Sequence, residues 1–182
     1  MPNTSLLTID EFLKLPSSEC LRELVRGRSI EARLPTTRHG EVCLAIGTQL
    51  SSFNKASGKP WLLSLRAGIV THREPDSLRG PDLLLYQARR VAGGKLPSSY
   101  LAVMPDVVFE VLDVHDQWSD VIERALEFLR VGVGVVCIAD FQKESLAIFR
   151  DGQAPKLLHA ADTFELPDIL GDLRVPVGEF FA

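Results

Sequence analysis

The spacing of apolar residues along the chain predicts an alternation of helices and strands. Residues 8–11 have the form of a capping box and open a short helix. Residues 21–26 and 29–34 alternate apolar with polar side chains around a glycine, which predicts a β-hairpin with one solvated face. Apolar residues then recur at helical spacing over residues 37–56, which predicts a long amphipathic helix.

Short apolar runs in the rest of the chain predict the strands of a sheet. Residues 107–112 are apolar except for Glu110, a pattern typical of a central strand that is buried on both faces. An amphipathic helix is predicted to follow over residues 117–131. Further strands are predicted at residues 61–65, 68–71, 83–86, 133–139, 145–149 and 156–158.

Length and composition favour one α/β domain over residues 1–182 rather than two small ones, because 46% of the residues are hydrophobic. A formal charge of −4 argues against a surface that binds a polyanion over its whole extent, so any nucleic-acid contact is expected to be local. The three cysteines lie far apart without metal-ligand spacing, so neither a disulfide framework nor a zinc site is indicated. No apolar run is long enough to span a membrane, and we expect a soluble cytoplasmic protein.

Two acids stand out because they interrupt or adjoin apolar strand-like runs. Glu110 has aliphatic neighbours on its face of the strand, where an unpaired carboxylate would cost roughly several kcal/mol, so it needs a cation. Asp82 begins the run Leu83-Leu84-Leu85, and taken alone it is better explained as part of a Pro-Asp turn. Two acids at the ends of neighbouring strands, however, are an arrangement that binds Mg²⁺ through oxygen ligands.

Arg124 lies on the predicted helix that follows Glu110. It flanks the apolar stripe of that helix, from which it would reach Glu110 and supply the cation. The alternative is an exposed pair with Asp120, one helical turn away, which contributes only about a few tenths of a kcal/mol. The sequence supports the two interpretations about equally.

Five short motifs follow one another in a recognisable order along the chain. They are Arg22-Glu-Leu-Val-Arg-Gly-Arg, His39 at the opening of a helix, Pro81-Asp82-Leu-Leu-Leu, Pro105-Asp-Val-Val-Phe-Glu-Val-Leu112, and Gly132-Val before a strand that ends in Asp140. This ordered set, over Thr8 to Phe181, resembles the Uma-two family of bacterial proteins, a restriction-endonuclease-like branch of the PD-(D/E)XK nuclease superfamily. The resemblance implies a restriction-endonuclease-like core in which helices flank a mixed central sheet, with an N-terminal β-hairpin.

The resemblance also implies roles for individual residues. The first metal-binding acid of the family falls on Asp82 and the second on Glu110, and the backbone carbonyl of Val111 is expected to be a further ligand. Glu23 matches the glutamate of the N-terminal hairpin, where it would hydrogen-bond water or bind a second metal ion. His39 matches a recurrent histidine of the family.

The sequence departs from the superfamily at the catalytic lysine. That lysine usually lies two residues after the second acid, where this chain has Leu112, and the Uma-two family instead supplies it from the next helix. The corresponding residue is Arg124. A guanidinium stays protonated and cannot act as a base, although it can orient water and stabilise a pentacoordinate phosphate.

His39 and Arg38 are also candidates for contact with a substrate phosphate at the start of the long helix. The alternative for His39, which we prefer at this point, is a hydrogen bond that ties the hairpin to the helix. The basic residues of segment 22–39 allow a phosphate-binding rim, although such charges more often only solvate a hairpin.

The sequence leaves two functional hypotheses. The first is an endonuclease that hydrolyses DNA with Mg²⁺ or Mn²⁺, with Asp82 and Glu110 as ligands, metal-bound water as the nucleophile and Arg124 stabilising the transition state. By family resemblance it would form a homodimer. The second is a catalytically impaired relative, retained as a DNA-binding or protein-interaction module, in which Glu110 and Arg124 form a buried ion pair.

Overall fold

A computed structural model describes residues 6–16, 20–58, 60–98 and 103–182. These residues fall into two compact units. The hairpin unit comprises the described part of Met1–Leu34 together with Gly68–Gly80, and the sheet unit comprises Pro35–Ala67 and Pro81–Ala182. The prediction of one domain over residues 1–182 stays a prediction.

Helices and strands alternate largely as the periodicity predicts. The α-helices are α1 (Ile9–Leu13), α2 (Thr37–Ser57), α3 (Trp118–Arg130) and α4 (Pro167–Leu170). The strands are β1 (Leu21–Val25), β2 (Arg28–Ala32), β3 (Trp61–Leu65), β4 (Ile69–His72), β5 (Ser77–Arg79), β6 (Leu83–Gln87), β7 (Val107–Leu112), β8 (Val135–Asp140), β9 (Ser145–Phe149), β10 (Lys156–His159), β11 (Thr163–Phe164) and β12 (Val175–Pro176). None of the helices in the described ranges combines the length and apolar character needed to cross a bilayer.

The hairpin unit contains an antiparallel sheet in the order β2-β1-β5-β4. The predicted capping box opens α1, with the side chains of Thr8 and Glu11 each bonded to the other residue's backbone N–H. The β1–β2 turn has positive φ angles at Arg26 (50°) and Gly27 (76°), as a type I′ turn requires. A Cβ atom on Gly27 would lie 2.6 Å from Leu6 Cβ, so this turn position needs glycine.

The sheet unit is built on a mixed sheet in the order β10-β9-β8-β7-β6-β3. Strands β7 and β8 are parallel, and the other neighbouring pairs are antiparallel. Every residue of β7 and β8 is buried, which explains their nearly continuous apolar sequences. Helix α3 makes the crossover that two adjacent parallel strands require. The predicted mixed sheet with flanking helices is confirmed.

Helices cover both faces of this sheet. The apolar stripe of α2 packs on the face that carries Phe109 and Val111. Glu110 points to the opposite face because side chains alternate along a strand, and Arg124 of α3 meets it there. The rings of Phe164 and Phe180, from the C-terminal segment, contact the Phe109 ring edge to face with centroids 5.8 and 6.4 Å away.

Candidate functional site

The pairing of β6 and β7 places the two predicted metal-binding acids at adjoining strand ends. Leu83, the first residue of β6, pairs with Phe109 in this antiparallel ladder, so Asp82 and Glu110 each lie one residue beyond that pair. Both acids are buried, each with 6% of its surface exposed. Glu110 contacts Arg124 of α3, whereas Asp82 contacts His39 of α2, and the roles of both acids as metal ligands stay predictions.

Hydrogen bonds hold the Asp82 carboxylate from three directions. Its Oδ2 atom accepts a bond from the backbone N–H of Val111 at 2.9 Å and lies 3.1 Å from His39 Nε2. Its Oδ1 atom accepts a bond from Arg66 Nη1 at 3.3 Å. The N–H and C=O of a strand residue face the same side, so the Val111 carbonyl is also directed towards the side of Asp82.

His39 and Asp82 form a buried ion pair. Burial alone would lower the pKa of His39, but hydrogen bonds with Asp82 and Cys43 and the Asp82 charge raise it to about 10. Burial would raise the pKa of Asp82, but the hydrogen bond and charge of His39, with the Val111 N–H and Arg66, lower it. At neutral pH, His39 is therefore a cation that faces a carboxylate.

The start of α2 is anchored to the loop after β7, and this anchor positions His39. Thr36 is the N-cap residue, and its Oγ1 atom accepts a bond from the His39 N–H at 3.3 Å. The Asp113 carboxylate in turn accepts bonds from the Thr36 N–H at 2.7 Å and from its hydroxyl at 3.0 Å. Burial would raise the pKa of Asp113, but these and other hydrogen bonds lower it.

Cys43 lies one turn after His39 on α2, with its Sγ atom 3.7 Å from His39 Nδ1. Burial raises the pKa of its thiol. One nitrogen of His39, the sulfur of Cys43 and one oxygen of Asp82 all lie within 4.8 Å of one another. Among the described residues, this is the group of three or more His, Cys, Asp or Glu side chains with such spacing.

Glu110 is bound by Arg124. The Arg124 Nε atom donates to Glu110 Oε1 at 2.8 Å, and the two side chains are 21% and 8% exposed. The guanidinium also lies over the Phe128 ring, 5.6 Å from its centroid. Of the two interpretations of Arg124, the one in which it reaches Glu110 is confirmed. The ion pair is also the arrangement that the second functional hypothesis describes.

The other candidates have partners of their own. In the hairpin unit, Glu23 accepts bonds from the Gly80 N–H at 2.7 Å and from Arg79 Nη1 at 3.2 Å. In the sheet unit, Arg38 pairs with Glu41 at 2.6 Å and donates to the backbone carbonyl of Phe181. The proposed roles of Glu23 with water or metal, and of Arg38 with phosphate, stay predictions.

The donor chemistry fits Mg²⁺, but cations already occupy both carboxylates. Carboxylate and backbone carbonyl oxygens are the ligands that Mg²⁺ prefers. Asp82 faces His39 and Arg66, and Glu110 faces Arg124, so three positive groups surround two negative ones. A metal ion would therefore have to displace or outweigh at least one of these cations to bind both acids.

Arg66 contacts Asp82, and Cys43 contacts His39, but the sequence predicted a functional role for neither Arg66 nor Cys43. Arg66 directly follows β3, and the β3–β6 register places it opposite Asp82. The helical spacing of His39 and Cys43 was a usable signal, because residues four apart share one side of a helix. No comparable signal marks Arg66, whose partner depends on the pairing of two strands.

The chain is similar to known proteins in both sequence and structure. The model of the Uma2 (Uma-two) family, described as "Putative restriction endonuclease", matches residues 9–178. The chain belongs to the Uma2 family. A crystal structure from Anabaena variabilis, described as "a putative nuclease belonging to DUF820", superposes with a TM-score of 0.82. It is 21% identical, and the match covers 96% of this Uma2 chain and 97% of that one. No curated protein matches the chain.

These matches confirm the resemblance that the sequence motifs indicated. The family match extends over both units of this Uma2 chain, from α1 to the segment after β12. The superposition shows that the chain has the fold of the protein described as "a putative nuclease". The predicted restriction-endonuclease-like fold is therefore confirmed as well.

Proposed function

We propose that the protein hydrolyses phosphodiester bonds of DNA with Mg²⁺ or Mn²⁺ held by Asp82, Glu110 and the carbonyl of Val111. The observation that carries the proposal is that two buried acids, Asp82 and Glu110, lie at the adjoining ends of the paired strands β6 and β7. Membership of the Uma2 family, described as "Putative restriction endonuclease", supports the nuclease class. Metal ions in such reactions activate water and offset the developing negative charge.

The chain's own residues would divide the remaining work. Arg124 would stabilise the negative charge that develops on the phosphate, since its guanidinium stays protonated at all working pH values. His39 and the Val111 N–H would fix the orientation of the Asp82 carboxylate, from which they lie 3.1 and 2.9 Å away. His39 is thus a positioning residue in this proposal.

The test combines DNA cleavage with metal binding. Purified protein is incubated with supercoiled, linear and single-stranded DNA in Mg²⁺, Mn²⁺ or EDTA, and thermal unfolding is recorded across a metal titration. We expect metal-dependent cleavage that falls about 100-fold or more in Asp82→Asn and Glu110→Gln, because each variant loses an anionic ligand. Metal binding to the folded protein raises the melting temperature as the ratio of free metal to its Kd increases, so both variants should also lose the thermal shift.

Asp106→Asn is the matched control. Asp106 is also a buried carboxylate, and it accepts bonds from Arg90 Nη1 at 2.6 Å and from the Gln87 N–H at 2.8 Å. It precedes β7, at the strand end opposite to Glu110. We expect a similar loss of stability with metal response and cleavage retained. A wild type that neither cleaves DNA nor shifts with either metal would refute the proposal.

A second candidate function is favoured by the ion pairs. Because Arg124 and His39 already neutralise Glu110 and Asp82, the fold needs no metal to bury these acids. The protein would then be a catalytically impaired nuclease-fold module that binds DNA or another protein. In this case DNA binding in EDTA would persist in wild type, Asp82→Asn and Glu110→Gln alike, and cleavage would be absent in all three.

A further inference from the structure

The side chains of His39, Cys43 and Asp82 converge beside the proposed oxygen-ligand site. We refer to these three residues as the thiol cluster. His39 and Cys43 come from adjacent turns of α2, and Asp82 immediately precedes β6. Their candidate ligand atoms lie within 4.8 Å of one another, and His39 and Asp82 are each only 6% exposed.

We propose that the thiol cluster binds a thiophilic divalent cation, with Zn²⁺ as the expected ion. Imidazole, thiolate and carboxylate are the three ligand types that Zn²⁺ takes in proteins. Mg²⁺ favours oxygen ligands and has little affinity for a thiolate, so this site differs in kind from the proposed oxygen site. The cation-binding part of the inference is independent of nuclease activity.

A tetrahedral ion requires the Cys43 side chain to rotate. With Zn–S near 2.3 Å and Zn–N and Zn–O near 2.0–2.2 Å, ligand atoms of one ion lie about 3.3–3.8 Å apart. His39 Nε2 lies 3.1 Å from Asp82 Oδ2, whereas Cys43 Sγ lies 3.7 Å from the other ring nitrogen, Nδ1. One ion binds only one nitrogen of an imidazole, so rotation of Cys43 must draw in the separations of up to 4.8 Å among the three ligand atoms. Water would supply the fourth ligand.

The loaded cluster would be electrically neutral, which suits a buried place. Zn²⁺ binds a thiolate and a neutral imidazole, so binding breaks the S–H bond of Cys43 and leaves His39 uncharged, and the released protons go to solvent. The loaded cluster then holds one dication, one thiolate and one carboxylate, so its net charge is zero.

Asp82 belongs to both the thiol cluster and the proposed oxygen site. An ion bound by Cys43 and His39 would hold the Asp82 carboxylate and deny it to Mg²⁺. If the proposed nuclease function is correct, Zn²⁺ therefore inhibits the Mg²⁺-dependent reaction. This consequence rests on the proposed function, whereas the binding of Zn²⁺ does not.

Cobalt substitution tests the site directly. Co²⁺ replaces Zn²⁺ in such sites and gives a thiolate charge-transfer absorption, which is titrated in a thiol-free buffer. We expect one equivalent of Co²⁺ to produce this band, Zn²⁺ to displace it, and Cys43→Ala to abolish it. Cys20→Ser, which removes an exposed cysteine, is the control and should keep the band. Zn²⁺ affinity should fall at least about 10-fold in Cys43→Ala.

The absence of a thiolate band in wild type, or its persistence in Cys43→Ala, would overturn the inference. Alkylation of the unmodified protein gives a second measurement that needs no variant. Zn²⁺ should slow the alkylation of Cys43, as followed by peptide mass spectrometry, and an unchanged rate counts against the site. If the wild type shows the cobalt band but does not cleave DNA, the nuclease proposal is refuted and the proposal of a Zn²⁺ site is not.

Discussion

Replacement of Arg124 by methionine tests how much the buried ion pair stabilises the sheet unit. Methionine removes the charge and keeps an unbranched side chain. Breaking a buried pair costs about 3–5 kcal/mol because the remaining charge stays desolvated. Since the Arg124 side chain is 21% exposed, water would reach the site, and we expect a loss of about 2–3 kcal/mol.

Urea unfolding, monitored by circular dichroism, measures this loss. For a chain of this size, 2–3 kcal/mol corresponds to a fall in melting temperature of roughly 4–12 °C. Arg150→Met is the matched control, because Arg150 makes two 2.8 Å contacts with Asp168, whose side chain is 55% exposed. That exposed pair should contribute less than about 1 kcal/mol.

A double-mutant cycle with Glu110→Gln isolates the interaction itself. The neutral amide needs no cation, so Arg124→Met should cost much less in the Glu110→Gln background. A coupling energy near zero, or a loss no larger than that of Arg150→Met, would refute the view that this ion pair is a structural unit.

Three further predictions concern catalysis, pH and packing. Arg124→Lys should raise metal-dependent DNA cleavage if the site is a weakened nuclease, because lysine can release its proton, and equal inactivity of both forms would favour the module hypothesis. In EDTA, protonated His39 should stabilise the fold fully below about pH 6.5 and lose this effect as pH rises through about 10, because its pKa is raised in the folded state. The difference in unfolding free energy between wild type and His39→Gln should therefore shrink over that range. A constant difference would contradict the ion pair with Asp82. Gly134→Ala should cost about 1–3 kcal/mol because its Cβ would lie 2.9 Å from a backbone carbonyl, whereas Gly40→Ala, with no atom within 4 Å, should be neutral or stabilising in thermal unfolding.

The sequence predicts those parts of the molecule that depend on local periodicity. The run around Glu110 identifies β7 as a buried strand, and the stripe beside Arg124 identifies α3 and the side it buries. The same logic predicts that Glu110 needs a cation, because an acid cannot be buried alone at low cost. The residue that meets this need, Arg124, lies on the next element of the chain, so the local sequence is enough to identify it as a candidate.

Features that depend on pairing between distant segments were not predictable. Strand β5 has three residues, and β11 and β12 have two each, so none is long enough to show a period. The partner of His39 was expected in the hairpin, whereas its ring bonds to Asp82. This contact requires α2 and β6 to pack together, which no local pattern specifies.

The bond from the Val111 N–H to Asp82 has a consequence for how the protein responds to ligands. The Asp82 side chain accepts the hydrogen bond that a backbone carbonyl of the neighbouring strand would otherwise accept, and the β6–β7 ladder ends there. Any cation that turns this carboxylate towards itself must loosen that amide, so ligand binding and order at the sheet edge are thermodynamically linked. Hydrogen exchange at the single amide of Val111 would therefore report on which ion holds the acid.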